Sequence, residues 1–167
     1  MKYRKFALFV LIALVALAGC QRSQESASPQ NNYAAGSLGF PVLLNGVGIQ
    51  VEQAGLLSVR DEGNPDYAHV VLALTITNQS EYDVVPPTMT LVDAHGNIYP
   101  AWQSPLPYEE QITRLPLSVP QGGSGIGNLV FIVPKTAVQD NLRLRWDSAI
   151  HGSRIDVYLG SIGQRMQ

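Results

Sequence analysis

Cysteine occurs once in the 167 residues, at Cys20, so no disulfide can form within the chain. Charge is scarce too: Asp, Glu, Lys and Arg make up 14% of the sequence, the net charge is −2, and Lys and Arg form no long run. Without a basic patch the chain has no electrostatic footprint for a phosphate backbone, and nucleic acid is excluded as a partner. No amphipathic helical period follows the first twenty residues. The one long apolar run, Phe6 to Ala16, falls short of the ~20 residues that a membrane-spanning helix needs.

That run is preceded by Lys2, Arg4 and Lys5 and followed by Leu17, Ala18, Gly19 and Cys20. A positive start, a short apolar stretch and small residues at a cut site read as an export signal. The last four residues resemble the bacterial lipobox. The resemblance implies a signal peptide over residues 1–19, cleavage before Cys20, and lipid on the Cys20 sulfur and the new amino terminus. At about 0.8 kcal/mol per buried methylene, two or three acyl chains hold a protein stably on a membrane. Losing Lys2, Arg4 and Lys5 removes three positive charges and takes the mature chain from −2 to −5. Gln21, where some lipoproteins carry Asp, implies an outer-membrane anchor facing the periplasm if the cell is Gram-negative.

Residues 20–39, rich in Ser, Gln, Asn, Ala and Gly, bury too little apolar surface to offset the entropy of ordering and are expected to form a flexible tether. Its coil length is about 25 Å and its stretched length about 60 Å.

From residue 40 to 167 the pattern becomes short apolar segments punctuated by Gly, Pro, Asn and Asp, the signature of an all-β sandwich or barrel. Val70, Leu72, Leu74 and Ile76 alternate with less apolar neighbours up to Asn78-Gln79-Ser80, a strand period of two. Val47, Ile49 and Val51 alternate earlier, and Met89 and Leu91 later. The Gly96-Asn97 pair predicts a hairpin with Ile98 to Trp102 returning. Leu115, Leu117 and Val119 flank Pro116 and predict an edge strand, since proline cannot donate to a ladder. Leu129, Phe131 and Val133, then Leu142, Leu144 and Trp146, then Ile155, Val157 and Leu159 complete the set. Seven to eight antiparallel strands in one domain predict an immunoglobulin-like β-sandwich, large enough to fold without a cofactor.

Three segments carry a more specific resemblance: the TITNQS strand end (Thr75 to Ser80), the LVDAHGNIY hairpin (Leu91 to Tyr99) and the GNLVFIVP strand (Gly127 to Pro134), with LRLRW (Leu142 to Trp146) following. In that order they resemble the bacterial domain of unknown function numbered 4352, which is similar to the mycobacterial secreted immunoprotective antigen. The resemblance spans about residues 45 to 160. It implies an immunoglobulin-like sandwich on exported, often lipid-anchored proteins, and no catalytic residues. The stretch from Pro100 to Pro120 departs from it, being longer than a simple strand connection.

Candidate chemistry is sparse. Ser124 lies among glycines, but Ile126 stands where a G-x-S-x-G nucleophile elbow needs its second glycine, and no set of residues supplies nucleophile, base and oxyanion donors together. The expectation is a protein that is not an enzyme. Asp93 and His95 offer a carboxylate and an imidazole beside a turn, too few for a committed metal site; a turn-capping role for Asp93 is the simpler reading. Asp61, Glu62 and Asp66 gather carboxylates in a loop without the ligand spacing of an EF-hand. Trp102 and Tyr108, among Pro100, Pro105 and Pro107, offer aromatic surface on a loop, where rigid sandwiches carry recognition. The expected function is a non-catalytic binding or accessory module for an envelope protein partner; a metal or small-ligand carrier using the acidic loop is the alternative.

Overall fold

Strand sequences that alternate in polarity bury one face and leave the other wet, and two such sheets close a core between them. The computed structural model describes residues 32–57, 66–105, 112–148, 150 and 152–162. Cys20 and its lipobox residues, Asp61 and Tyr108 lie outside them, as does His151. Among the described residues no helix is long and apolar enough to cross a membrane.

The strands are β1 (Tyr33–Ser37), β2 (Val42–Leu44), β3 (Val47–Leu57), β4 (Tyr67–Asn78), β5 (Thr90–Val92), β6 (Ile98–Pro100), β7 (Ser124–Pro134), β8 (Leu142–Asp147) and β9 (Arg154–Gly160). One sheet has the order β1-β9-β8-β5-β6 and the other β2-β3-β4-β7. The protein is an all-β, immunoglobulin-like β-sandwich. Val70, Leu72, Leu74 and Ile76 of β4, with Phe131 beside them on β7, pack with Leu91, Leu144, Ile155 and Val157 of the other sheet in a single cluster, each of them at most 1% exposed. Burying such a side chain contributes roughly 1.5–3 kcal/mol. The opposite residues of β8, Arg143, Arg145 and Asp147, stay at the surface side. A single turn of helix, α1 (Lys135–Val138), follows Pro134 and tucks Ala137 and Val138 into the core.

Two expectations need correction. Residues 33–37 are not tether: β1 pairs in parallel with β9 from Tyr33↔Arg154 to Ser37↔Tyr158, and residues 38 and 39 form the turn that leads on to β2. Backbone pairing to the last strand supplies what the small side chains of Ala34, Ala35 and Gly36 do not. This strand and the three-residue β2 raise the count among the described residues to nine, with one parallel strand pair among antiparallel ones. The second correction concerns Leu115 to Val119, which is not a strand. Only isolated bridges form, Arg114↔Asn128 and Val84↔Val119, because Pro116 and Pro120 lack the N–H groups a ladder needs. Leu115 and Val119 are buried there, while Leu117 is 74% exposed.

Candidate functional site

Three loops meet at one end of the sandwich. The first is the β2–β3 hairpin, a two-residue Asn45-Gly46 connection in which both residues have positive φ, 49° and 81°. That is the turn whose twist matches the flanking strands. Gly46 is required there for a second reason. A Cβ on it would sit 2.8 Å from the Ser80 backbone nitrogen and 2.9 Å from the Gln79 carbonyl carbon, and its own carbonyl accepts from the Gln79 N–H at 2.7 Å.

The second loop follows β4 and is organised by Asn78, which is fully buried. Its Nδ2 donates to the carbonyls of Tyr82 (2.6 Å) and Val119 (2.8 Å), and its Oδ1 accepts from the Ser80 N–H (3.0 Å) and hydroxyl (2.6 Å). The third loop, between β8 and β9, is tied to the first by Asn45 Nδ2 donating to Ser153 Oγ at 2.8 Å.

Between them lies a cleft of about 240 Å³, walled by Val47, Tyr82, Val84, Val85, Trp146 and Ile150. Tyr82, Val85 and Ile150 are 41%, 41% and 56% exposed and gather apolar surface in one concavity, the arrangement that binding sites use. Two carboxylates, Asp83 and Asp147, share the lining, and among the described residues no cationic side chain does. Asp147 accepts from Arg154 Nε at 2.7 Å, whereas Asp83, among the described residues, accepts only from the neutral Ser118 hydroxyl at 2.8 Å. The chain enters the sandwich at this same end, since the Arg154 N–H donates to the Asn32 carbonyl at 2.8 Å, one residue beyond Ser153 of the cleft.

The residues singled out in the sequence are placed elsewhere. Asp93 closes the β5–β6 hairpin as a turn cap. Oδ1 accepts from the N–H groups of His95 and Asn97, both at 2.9 Å, and Oδ2 from the Asn97 amide (2.8 Å) and the Tyr99 hydroxyl (2.9 Å). Burial works to raise its pKa, but the hydrogen bonds from Asn97, Tyr99 and His95 outweigh it and hold the carboxylate at about 2. Burial, with the same Asp93 charge beside it, pushes the Tyr99 hydroxyl up to about 12. Asp140, not anticipated from the sequence, brings its carboxylate 3.5 Å from His95 Nδ1. Asp93, His95 and Asp140 thus offer ligand atoms within 4.8 Å of one another. Both Asp93 oxygens are already committed to the turn, so a metal ion has to compete with four hydrogen bonds.

Asp66 lies apart from that cluster at the start of β4, where its carbonyl accepts from the Lys135 N–H at 2.8 Å. Ser124 is the first residue of β7, paired with Thr77, and so forms no nucleophile elbow. Trp102 is 39% exposed. Its N–H donates to the Val130 carbonyl at 2.7 Å, extending the edge of β7, and Arg114 pins its loop by donating to the carbonyls of Trp102 (2.9 Å) and Ser104 (2.8 Å). Trp102 and the cleft lie on separate parts of the fold. Sequence patterns gave no warning of the cleft, whose walls come from loops far apart in the chain. The one local signal was Asn78-Gln79-Ser80, whose asparagine turns out to be a buried structural tie.

The sheet orders define a small β-sandwich of a kind that recurs among bacterial proteins. The chain is similar in fold to MPT63, a secreted protein of Mycobacterium tuberculosis, at 16% identity and a TM-score of 0.54 over 74% of this chain and 95% of that one. It is similar also to two Bacillus subtilis proteins. One is ycdA, a candidate lipoprotein (15% identity, TM-score 0.53, 70% of this chain and 37% of that one), and the other is yjhA (13%, 0.52, 74% and 98%). At these identities the likeness is one of fold. No protein-family model matches the sequence, and no curated protein matches it.

Proposed function

We propose that this protein is exported, lipidated at Cys20 and held at a cell-envelope membrane, where its sandwich serves as a non-catalytic binding module for a protein partner. The observation that carries the reading is the coincidence at one end of the fold of the chain entry at Asn32 and the apolar cleft with its exposed Tyr82, Val85 and Ile150. A module anchored from that end presents its recognition surface to whatever lies close to the membrane.

The sequence leader supports export, and the fold is shared with a secreted protein and with a candidate lipoprotein. Membership of the 4352 family belongs to the same reading, as does an outer-membrane location, which Gln21 supports. With β1 beginning at Tyr33, the linker is residues 20–31, about 20 Å as a coil and about 40 Å stretched.

The test has two arms. Cys20→Ser is expected to release the protein from membranes or leave its leader uncut; normal processing with full membrane retention refutes the anchor. A photocrosslinking residue at Val85 or Ile150 is expected to capture one recurring protein from cells. Capture from Trp102 in their place moves the recognition surface to the Pro100–Pro105 loop, and no recurrent capture from either refutes the module.

A further inference from the structure

We infer that the loop-end cleft is a receptor for a basic side chain, an arginine or lysine presented by the partner protein. The inference deepens the binding-module reading and rests on it. Three observations carry it.

The first is size. A volume of about 240 Å³ accommodates an arginine or lysine side chain with room for a few waters, and lies below the roughly 300–1,000 Å³ of pockets that hold drug-sized ligands. The second is the distribution of charge. Asp83 and Asp147 line the cleft without a lysine, arginine or histidine among the described lining residues, and Glu81 precedes Asp83 on the same loop. Arg154 offsets Asp147 from outside the lining, but Asp83 meets only a hydroxyl. Its Oδ1 is left without a hydrogen bond, and its charge without a cationic partner, among the described residues. The third is the wall chemistry. Tyr82 and Trp146, with Val47, Val84, Val85 and Ile150, suit an apolar stem and the face of a planar cation. An anionic or phosphate-bearing group meets repulsion from Asp83 and finds no cationic donor among the described lining residues.

The probe is n-butylguanidinium, which carries the stem and head of arginine, compared with the isosteric neutral n-butylurea and the anion valerate. Each is titrated at constant ionic strength into the full chain in detergent, in a Trp102→Phe background so that fluorescence reports Trp146 in the cleft wall. Butylguanidinium is expected to saturate in the millimolar range, as suits so few atoms, and butylurea and valerate to bind at least about tenfold more weakly. Asp83→Asn is expected to weaken butylguanidinium about threefold, and Asp83→Asn with Asp147→Asn about tenfold. Thermal unfolding of both variants checks that they remain folded.

Butylurea binding as tightly as butylguanidinium, a preference for valerate, or no saturation by the cation each overturns the proposal, and none of these comparisons depends on changing Asp83 or Asp147. A chain that stays membrane-anchored and crosslinks a partner through Val85, yet ignores butylguanidinium, defeats this inference alone. Release and crosslinking data that fail together defeat the module reading instead.

Discussion

Replacing Asn78 with alanine removes two donated and two accepted hydrogen bonds from a fully buried position. At a net worth near 1 kcal/mol each, the four contribute about 4 kcal/mol. Two of the orphaned acceptors keep a partner: the Val119 carbonyl still receives the Val84 N–H at 3.0 Å, and the Tyr82 carbonyl the Ser80 hydroxyl at 3.0 Å. The expected loss is therefore about 3 kcal/mol. For a sandwich of this size that lowers the unfolding temperature by about 12 °C, and the urea midpoint by about 2 M for a slope near 1.5 kcal/mol per molar. The assay is urea unfolding of the mature chain, followed by tryptophan fluorescence. Asn78→Asp is the sharper comparison. It retains the acceptor for Ser80 but loses both donors and sets a charge against two carbonyls, so it is expected to be less stable than Asn78→Ala. A loss under about 1 kcal/mol for alanine, or wild-type stability for aspartate, refutes the view that this side chain ties the loop to Val119.

Gly46→Ala meets both a positive φ of 81° and the Gln79–Ser80 backbone; a cost of about 2–4 kcal/mol in urea unfolding is expected, together with loss of butylguanidinium binding as the cleft wall shifts. Asp93, held at about 2 against a usual 3.8, contributes about 2 kcal/mol that is fully present above pH 4 and disappears as pH falls towards 2. Urea midpoints measured across that window are expected to drop steeply in wild type, and a drop of the same size in Asp93→Asn refutes the assignment. Added zinc is expected to leave the unfolding temperature unchanged, because the oxygens Asp93 would give are already in use. A rise of several degrees that disappears in His95→Ala shows instead that Asp93, His95 and Asp140 bind it.

Legibility in the sequence followed the range over which each feature is encoded. The β4 alternation from Val70 to Ile76 and the Gly96-Asn97 hairpin are local patterns, and the structure matches both. So is the division of β8 into Leu142, Leu144 and Trp146 inside and Arg143 and Arg145 outside. The strand β1 was hidden because its sequence, YAAGS, has no apolar period and its partner is the last strand of the fold. Around Pro116 the alternation was present but the donors were not, and the missing N–H groups prevailed over the pattern. Asp156 on β9 reads as an exposed strand position, yet it is buried because Arg145, at 3.0 Å, and Arg143, at 3.7 Å, close over it. The cleft was illegible for a related reason: Asn45, Tyr82, Asp83 and Ile150 become neighbours only after both sheets are built.

The parallel pairing of β1 with β9 also sets how the protein bears load. A pull on the linker enters at Asn32 and runs along the axis of β1. Its five paired positions, Tyr33↔Arg154 to Ser37↔Tyr158, then slide against β9 together instead of opening one after another. A strand loaded in shear shares the force among all its rungs, whereas a peeled strand yields them singly. If the proposed lipid anchor at Cys20 holds, a domain moored in this way would keep its first strand seated while thermal motion of the membrane tugged at it.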